Sequence, residues 1–437
     1  MKILHTSDWH LGHRLYDRDR TDEHRAALAW LLDMIETEKV AVLIVAGDVF
    51  DTMNPSNTAR NLYYNFLGEL QRTSCQAAII VGGNHDSPSL LDAPAELLSH
   101  LNLHVIGGTK NNLADQVIEL NINQGAAAGA VKVDLLVAAV PYLREKDLKY
   151  SIAGESPEGR KQRLRTAILQ HYQDIAAAVA EKRKDPQTPV VATGHLFAAG
   201  SVDASDKQTH IYLADKNNIE AGQFPDIFDY VALGHIHQAQ RVGGHEHVRY
   251  SGSLVPLTFG EARQPQSVYV FDLSAAGEPV TVKRLTVPRF RDLLSVRGTA
   301  EEVFAELEAF HLKDRTTREE GTLAPWLEVR VETPHPLPLL REELTAILEK
   351  KNPALAKDGS SFAAQEAAIL RTSLIRPEGA ENDQATLTSQ SLSELDPEEV
   401  FHRLCHGTAT GERQDYSDLL ASFRELRTWM EEETTEA

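Results

Sequence analysis

A chain of 437 residues is longer than one small hydrophobic core organises and points to two or three domains. With 42% hydrophobic and 25% charged residues, its composition is that of a folded, water-soluble protein and excludes global disorder, and no stretch approaches the roughly 18 apolar residues of a membrane span. The formal charge of −20 argues against a protein that grips nucleic acid unaided, because phosphates are usually neutralised by Lys and Arg. It leaves room for one that holds phosphates through divalent cations, or that borrows positive charge from a partner.

Met1 leads directly into Lys2-Ile3-Leu4 with no basic and apolar leader, so a cytoplasmic, non-membrane protein is expected. Cys75 and Cys405 supply neither a disulfide framework nor a four-thiolate zinc site; both are read as packing residues. From residue 1 to 275, short β-rich runs alternate with helical stretches, the signature of a layered α/β domain. Strands are predicted at Lys2–His5, Ala41–Ala46, Ala77–Val81, Val133–Val140, Val190–Thr193, Tyr230–Leu233, His247–Ser251 and Ser267–Leu273. Between the first two, Ala27, Leu28, Leu31, Leu32 and Ile35 have the spacing of one buried helix face.

Beyond Leu273 an Ala276-Gly277-Glu278-Pro279 turn precedes two β-like runs, a helix near Ala300–His311, a strand at Leu327–Glu332 and a helix at Arg341–Lys350. These form a small α+β domain, 276–375, expected to act as a cap. Residues 376–391, rich in Ser, Thr, Pro and Gly, read as a linker. In 392–437 Asp396 and Pro397 open one helix, and Leu419, Leu420, Phe423, Leu426, Trp429 and Met430 stripe a second. This tail holds twelve acidic residues against four Arg and no Lys, a net of −8, and should avoid DNA and seek a partner.

Five clusters fall at the carboxyl ends of predicted strands, where open α/β sheets place ligands. They are Asp8-Trp9-His10, Gly47-Asp48, Gly83-Asn84-His85-Asp86, Gly194-His195 and Gly234-His235-Ile236-His237. Four of them have a Gly before the first functional residue, as expected where the backbone turns tightly against bound groups. Asp8, His10, Asp48, Asn84, His195, His235 and His237 supply two carboxylates, one amide oxygen and four imidazoles. That mixed set suits Mn²⁺, Fe²⁺ or Zn²⁺ and is too rich in nitrogen for Ca²⁺. Seven ligands imply two ions, about 4 Å apart, with Asp48 as the bridging carboxylate. Such a pair activates a water for attack on phosphorus, so phosphoester hydrolysis is the natural reaction. His85 is expected beside the metals as a transition-state stabiliser or acid. Asp86 is expected to hydrogen-bond His85 and hold its tautomer.

The clusters resemble the signature of calcineurin-like metallophosphoesterases, D-x-H, G-D, G-N-H-D, G-H and G-H-x-H in that order. More narrowly, the runs 3–12, 45–52 and 232–237 resemble the SbcD family of nuclease subunits. So do Glu246–Tyr250, Ser251-Gly252-Ser253, and Leu392–Leu395 leading into Glu398–Phe401. The resemblance implies a four-layer αββα sandwich carrying a small α+β cap and a C-terminal helical partner-binding segment. It implies two Mn²⁺ ions, one held by Asp8, His10, His237 and Asp48, the other by Asp48, Asn84, His195 and His235, with His85 in the catalytic position. It also implies partnership with an SbcC-type SMC-like ATPase, docking of the tail helices on that ATPase's coiled-coil base, and an SbcD homodimer within a heterotetramer. The activities implied are 3′–5′ exonuclease action on duplex ends, single-strand endonuclease action and hairpin opening, in replication, recombination and repair. One departure is Asp51, where archaeal and eukaryotic relatives often carry a His; a second catalytic histidine there is not supported.

Two other readings remain open at this level: a small-molecule or nucleotide phosphodiesterase, and a non-catalytic scaffold of the same fold. His5, His13, His24, His245 and His247 are read as core or surface residues. Arg14, Arg18 and Arg20, and Lys146, Lys149, Arg160, Lys161, Arg163 and Arg165, are read either as phosphate contacts or as solvated faces.

Overall fold

The computed structural model describes residues 1–122, 133–148, 156–199, 219–309, 323–333, 337, 339–351, 368–375 and 422–423. A first sheet begins with β1 (Lys2–Thr6), β2 (Val42–Ala46), β3 (Ala77–Val81) and β4 (Leu103–Ile106), paired in parallel in that order. A second contains β5 (Val117–Leu120), β6 (Leu135–Ala138), β7 (Val190–His195), β8 (Tyr230–Gly234), β9 (Gln240–Val242) and β10 (His245–Tyr250). Its spatial order is β9-β10-β8-β7-β6-β5, with β10, β8, β7 and β6 parallel. The chain then returns to the first sheet: β11 (Ser267–Asp272) runs antiparallel to β1, and β12 (Thr281–Thr286) pairs outside β11. The first β-like run after the Gly277 turn is therefore a strand of the first sheet.

Three apolar layers explain why these strands read as unbroken hydrophobic runs. Between the sheets, Ile3, Val42, Ile44 and Ile79 meet Val137, Val191, Tyr230 and Ala232. On the outer face of the first sheet, Leu4, Leu43, Val45 and Ile80 are covered by two helices. These are α1 (Thr21–Glu38), through Leu28, Leu31 and Ile35, and α2 (Asn57–Leu70), through Tyr63, Phe66 and Leu70. On the outer face of the second, Leu136, Ala192 and Leu233 pack on Tyr172, Ile175 and Val179 of α3 (Pro157–Lys182). The layering is helix, sheet, sheet, helix. Strands covered on both sides have no solvent face to keep polar, and all five residues of β2 are buried.

A third sheet follows, of β13 (Arg291–Thr299), β14 (Leu323–Glu332) and β15 (Ala368–Ile375) in that order, β13 and β14 being parallel. α4 (Ala300–Ala309) and α5 (Leu340–Lys351) cover one face, where Val303, Leu307, Leu344 and Leu348 meet Val296, Leu327 and Val329. All these elements as far as Leu374 lie in one compact unit. Arg291 ties the third sheet to the sandwich: its guanidinium stacks 4.0 Å from the Trp326 ring centroid, and its Nε lies 3.3 Å from the Glu23 carboxylate of α1. The predicted linker, and both tail helices apart from Ser422 and Phe423, lie outside the described residues.

Candidate metal centre

The turns leaving β1 and β2 are laced together. Asp8 N–H donates to the Gly47 carbonyl at 3.0 Å, His10 N–H to Asp48 O at 3.0 Å, and Leu11 N–H to Val49 O at 2.9 Å. Asp8, His10, Asp48 and His235 all have positive φ, from 46° to 101°. Such conformations cost about 1–3 kcal/mol each in non-glycine residues and persist only where the surroundings over-determine them. The glycines beside them are required by space. A Cβ on Gly83 would lie 2.1 Å from Asp48 Oδ1, and one on Gly47 2.2 Å from His195 Nδ1.

All seven residues expected to ligate metal converge here, in two overlapping groups. Ligand atoms of Asp8, His10 and His237 lie within 4.8 Å of one another, with the His10 and His237 ring centroids 5.0 Å apart. Those of Asp8, Asp48 and His195 do the same. His195 Nε2 is 3.2 Å from Asp48 Oδ2 and 3.0 Å from Asn84 Oδ1, and His235 Nδ1 is 3.1 Å from the same amide oxygen. Asp48 Oδ2 also lies 3.5 Å from His10 Nε2, so this carboxylate stands between the groups. Both ring nitrogens of His10 are buried without a hydrogen-bond partner among the described residues. Buried carboxylate, amide and imidazole donors, among them the His10 Nε2 with no hydrogen-bond partner, fit a pair of divalent cations.

The surroundings orient these donors. His195 Nδ1–H donates to the Ala46 carbonyl at 2.9 Å, leaving Nε2 as its ligand atom. Ser7 Oγ donates to Asp8 Oδ2 and lies 2.8 Å from Ser251 Oγ, and the His235 N–H donates to Asp8 Oδ1 at 2.9 Å. Gly252 (φ +80) packs on the His237 carbonyl, which accepts from Ser253 N–H at 3.2 Å. The Ser-Gly-Ser run thus buttresses two of the ligand turns.

Charges in the centre are strongly coupled. Burial opposes a charge on His195, but the Asp48 carboxylate beside it, with Asp8, raises its pKa to about 9. Burial acts the same way on His237, and Glu261, Asp8 and Asp48 raise it to about 10. Burial and the neighbouring His195 push His235 down to about 3. Burial also works against ionising Asp48, yet His195, His10 and His85 hold its carboxyl well below the usual range. A site that draws protons onto imidazoles in this way attracts any small cation, and metal and proton compete for it.

His85 lies beside the cluster, its ring centroid 4.9 Å from that of His10, and its N–H donates to Asp48 Oδ1 at 2.9 Å. Asp86 does not take the role expected of it. Its buried carboxylate accepts from the N–H groups of Val49 at 3.0 Å, Phe50 at 2.9 Å and Gly83 at 2.8 Å, while His85 Nδ1 bonds instead to the Asp51 carbonyl at 2.8 Å. Successive side chains in this turn diverge, so sequence adjacency did not become contact; Asp86 clamps the turns after β2 and β3 together. Arg20 is likewise unavailable to phosphate, being buried and paired through two 2.8 Å bonds with Glu23. Arg160 and Arg163 pair with Glu145, and Arg165 with Glu220. Two residues were not anticipated. Glu261 accepts from His237 Nδ1–H at 3.2 Å, and Asp51 Oδ1 lies 3.3 Å from His10 Nδ1. Neither belongs to a ligand motif, and nothing in the linear pattern flags Glu261, 24 residues beyond His237.

Comparison with known proteins gives the family. The Calcineurin-like phosphoesterase family matches residues 1–239. The SbcD subunit of the SbcCD nuclease of Escherichia coli strain K12 is 35% identical over 403 residues, covering 92% of this chain and 92% of the relative. The chain belongs to the SbcD family of nuclease subunits. The SbcD homologue of Rhodobacter capsulatus is 33% identical over 412 residues, 92% of this chain and 93% of its own length. That of Bacillus subtilis is 28% identical over 315 residues, 70% and 75%. Residues 289–407 match an SbcD C-terminal family described as "Type 5 capsule protein repressor C-terminal domain". SbcD membership accounts for a phosphoesterase core followed by the third sheet, and the metallophosphoesterase core implies divalent metal ions. No helix among the described residues is long and apolar enough to cross a membrane.

Proposed function

We propose that this SbcD-family chain is the cytoplasmic nuclease subunit of an SbcCD-type complex, cutting DNA phosphodiester bonds with two divalent ions, Mn²⁺ by preference. The observation that carries this reading is the convergence of Asp8, His10 and His237 on one side of Asp48, and of Asn84, His195 and His235 on the other. On this reading Asp8, His10, Asp48 and His237 hold one ion, and Asp48, Asn84, His195 and His235 the second. When bound, such ions acidify a water and neutralise charge on the phosphate oxygens.

The chain's own residues do the rest. Asp48 is fixed as a bridge because the His85 amide grips one of its oxygens. His85, whose Nδ1–H is committed to the Asp51 carbonyl, uses Nε2 to steady the phosphate and pass a proton to the leaving oxygen. Asp86 holds the turns bearing Asp48 and Asn84 in register.

In the same proposal, the third sheet with α4 and α5 is a cap domain that runs from Arg291, after the last strand of the sandwich, to about residue 375. Residues 376–391 link it to the acidic helices of 392–437, which dock on the coiled-coil base of an SbcC-type ATPase. Two SbcD copies form a homodimer flanked by two ATPases, and a basic partner surface would supply the attraction for DNA that the −20 charge of this chain does not. The substrates are double-strand ends, hairpins and single strands, attacked 3′ to 5′ as exonuclease and internally as endonuclease.

Labelled hairpin and linear duplex DNA, incubated in Mn²⁺ with and without the ATPase partner and ATP, tests this. Wild type is expected to cut both, and His85→Gln to lose about 10²–10⁴-fold in rate with metal binding intact. Hydrolysis of small phosphodiesters without DNA cutting, partner present, would replace the reading with a small-molecule phosphodiesterase. No hydrolysis of either would point to a scaffold.

A further inference from the structure

We propose that Glu261 is a positioning residue for one of the two metal ions, the one on the Asp8–His10–His237 side; this rests on the dinuclear reading above. Glu261 is buried, and its Oε1 accepts the His237 Nδ1–H at 3.2 Å. That bond fixes the tautomer, so the lone pair of His237 is on Nε2. Its other oxygen accepts the Leu257 N–H at 2.8 Å. The residue's own N–H donates to Thr258 Oγ1 at 3.1 Å, and its carbonyl accepts from Gln266 Nε2 at 3.3 Å. With both carboxylate oxygens and both main-chain groups engaged, Glu261 cannot swing away, and the imidazole it holds is fixed with it.

The two metal subsites differ in this respect. His195, on the other side of Asp48, donates Nδ1–H to a neutral main-chain carbonyl, that of Ala46. His237 donates to a carboxylate, which makes the imidazole a better electron donor and adds a negative charge just behind the ligand. Asp51 Oδ1, 3.3 Å from His10 Nδ1, adds a second. The ion between His10 and His237 therefore has two acidic groups behind its imidazoles, whereas His195 is backed by a main-chain dipole. Removing the Glu261 charge weakens one ion and spares the other.

Mn²⁺ titration of the full-length chain, followed by calorimetry and by electron paramagnetic resonance, separates the outcomes. Wild type is expected to bind two ions and to show the spin-coupled signal of a pair. Glu261→Gln is expected to lose about 10–100-fold affinity at one ion only, so that a mononuclear signal persists at Mn²⁺ concentrations that fill the wild-type pair. Glu261→Asp, which keeps the charge but withdraws it by one methylene, should fall between them, and it carries the test if the Gln variant does not fold. Two wild-type affinities in the folded variants, or equal weakening of both ions, would overturn the proposal while leaving the dinuclear reading intact. Fewer than two ions on wild type would sink both.

Discussion

The strands beneath the metal centre and those of the third sheet are buried in different ways. Every residue of β2 and β3 is buried, because a second sheet covers one face and helices the other. Along β13, by contrast, Arg291, Leu293, Val296 and Gly298 are buried, while Asp292, Ser295, Arg297 and Thr299 are exposed. Strands packed on both faces cannot shift without disturbing two cores, and their carboxyl ends are where ligand atoms must stay fixed within fractions of an ångström. The third sheet is covered less completely, by α4 and α5 on one face and by Phe259 and Ala262 at one end of the other, and its exposed positions have freedom to change.

The largest test of this contrast replaces a glycine in each region. Gly83→Ala drives a methyl group against Asp48 Oδ1, at 2.1 Å, and Asp48 N, at 2.3 Å. It should abolish paired metal binding and cost at least about 100-fold in cleavage rate. Gly298→Ala in β13 meets the Glu302 side chain, 2.7 Å away at its Oε2, which can turn aside into solvent. It should leave cleavage unchanged within about twofold, and a loss there as severe as at Gly83 would erase the distinction.

Stability measurements sharpen it. Ile44→Ala, between the sheets, is expected to lose about 2–5 kcal/mol in denaturant titration. Asp292→Ala, at an exposed position of β13, should stay within about 0.5 kcal/mol of wild type. Similar losses at both would show that the exposed positions of β13 are as constrained as the buried strands of the sandwich.

At neutral pH the smallest expected effect is that of a buried histidine, which shows only as a pH dependence on the acid side. Burial pushes His5 down to about 3, and its ring bridges the Leu233 carbonyl and the Tyr230 hydroxyl at 3.1 Å each. The unfolded chain binds a proton here near pH 6.5, which the folded chain refuses until about 3. The stabilisation is therefore complete above pH 6.5 and is lost as pH falls, by about 1.4 kcal/mol per unit in that window. His5→Asn should flatten the acid limb of stability against pH by that slope. An unaltered slope would mean that His5 takes up its proton in the folded state.

The same contrast explains what could be read from the sequence. Doubly covered strands leave unbroken apolar runs, and a Gly followed by a polar residue marks the carboxyl ends of β2, β3, β7 and β8, though not of β1. That is how Asp48, Asn84, His195 and His235 were legible together. α2 and α3 are less legible, although Ser56 and Ser156 cap them by accepting from Ala59 N–H and Gly159 N–H. Arg, Lys and Gln fill much of α3 and mask the periodicity of its Ile168, Tyr172, Ile175 and Val179 face. Glu261 was illegible for a different reason. Its meaning depends on a contact made only after β8 and the turn before β11 are folded together, which no spacing encodes.

That turn has a second set of contacts. Phe259 and Ala262, on either side of Glu261, are buried with Leu293, Trp326 and Leu370 of the third sheet, and Arg20 grips the Pro256 carbonyl at its start. The segment is thus a short lever, its broad end lodged under the third sheet and its tip resting on His237. A substitution that unseats Phe259 or Ala262 from the third sheet therefore acts on the same short segment that holds His237 in place.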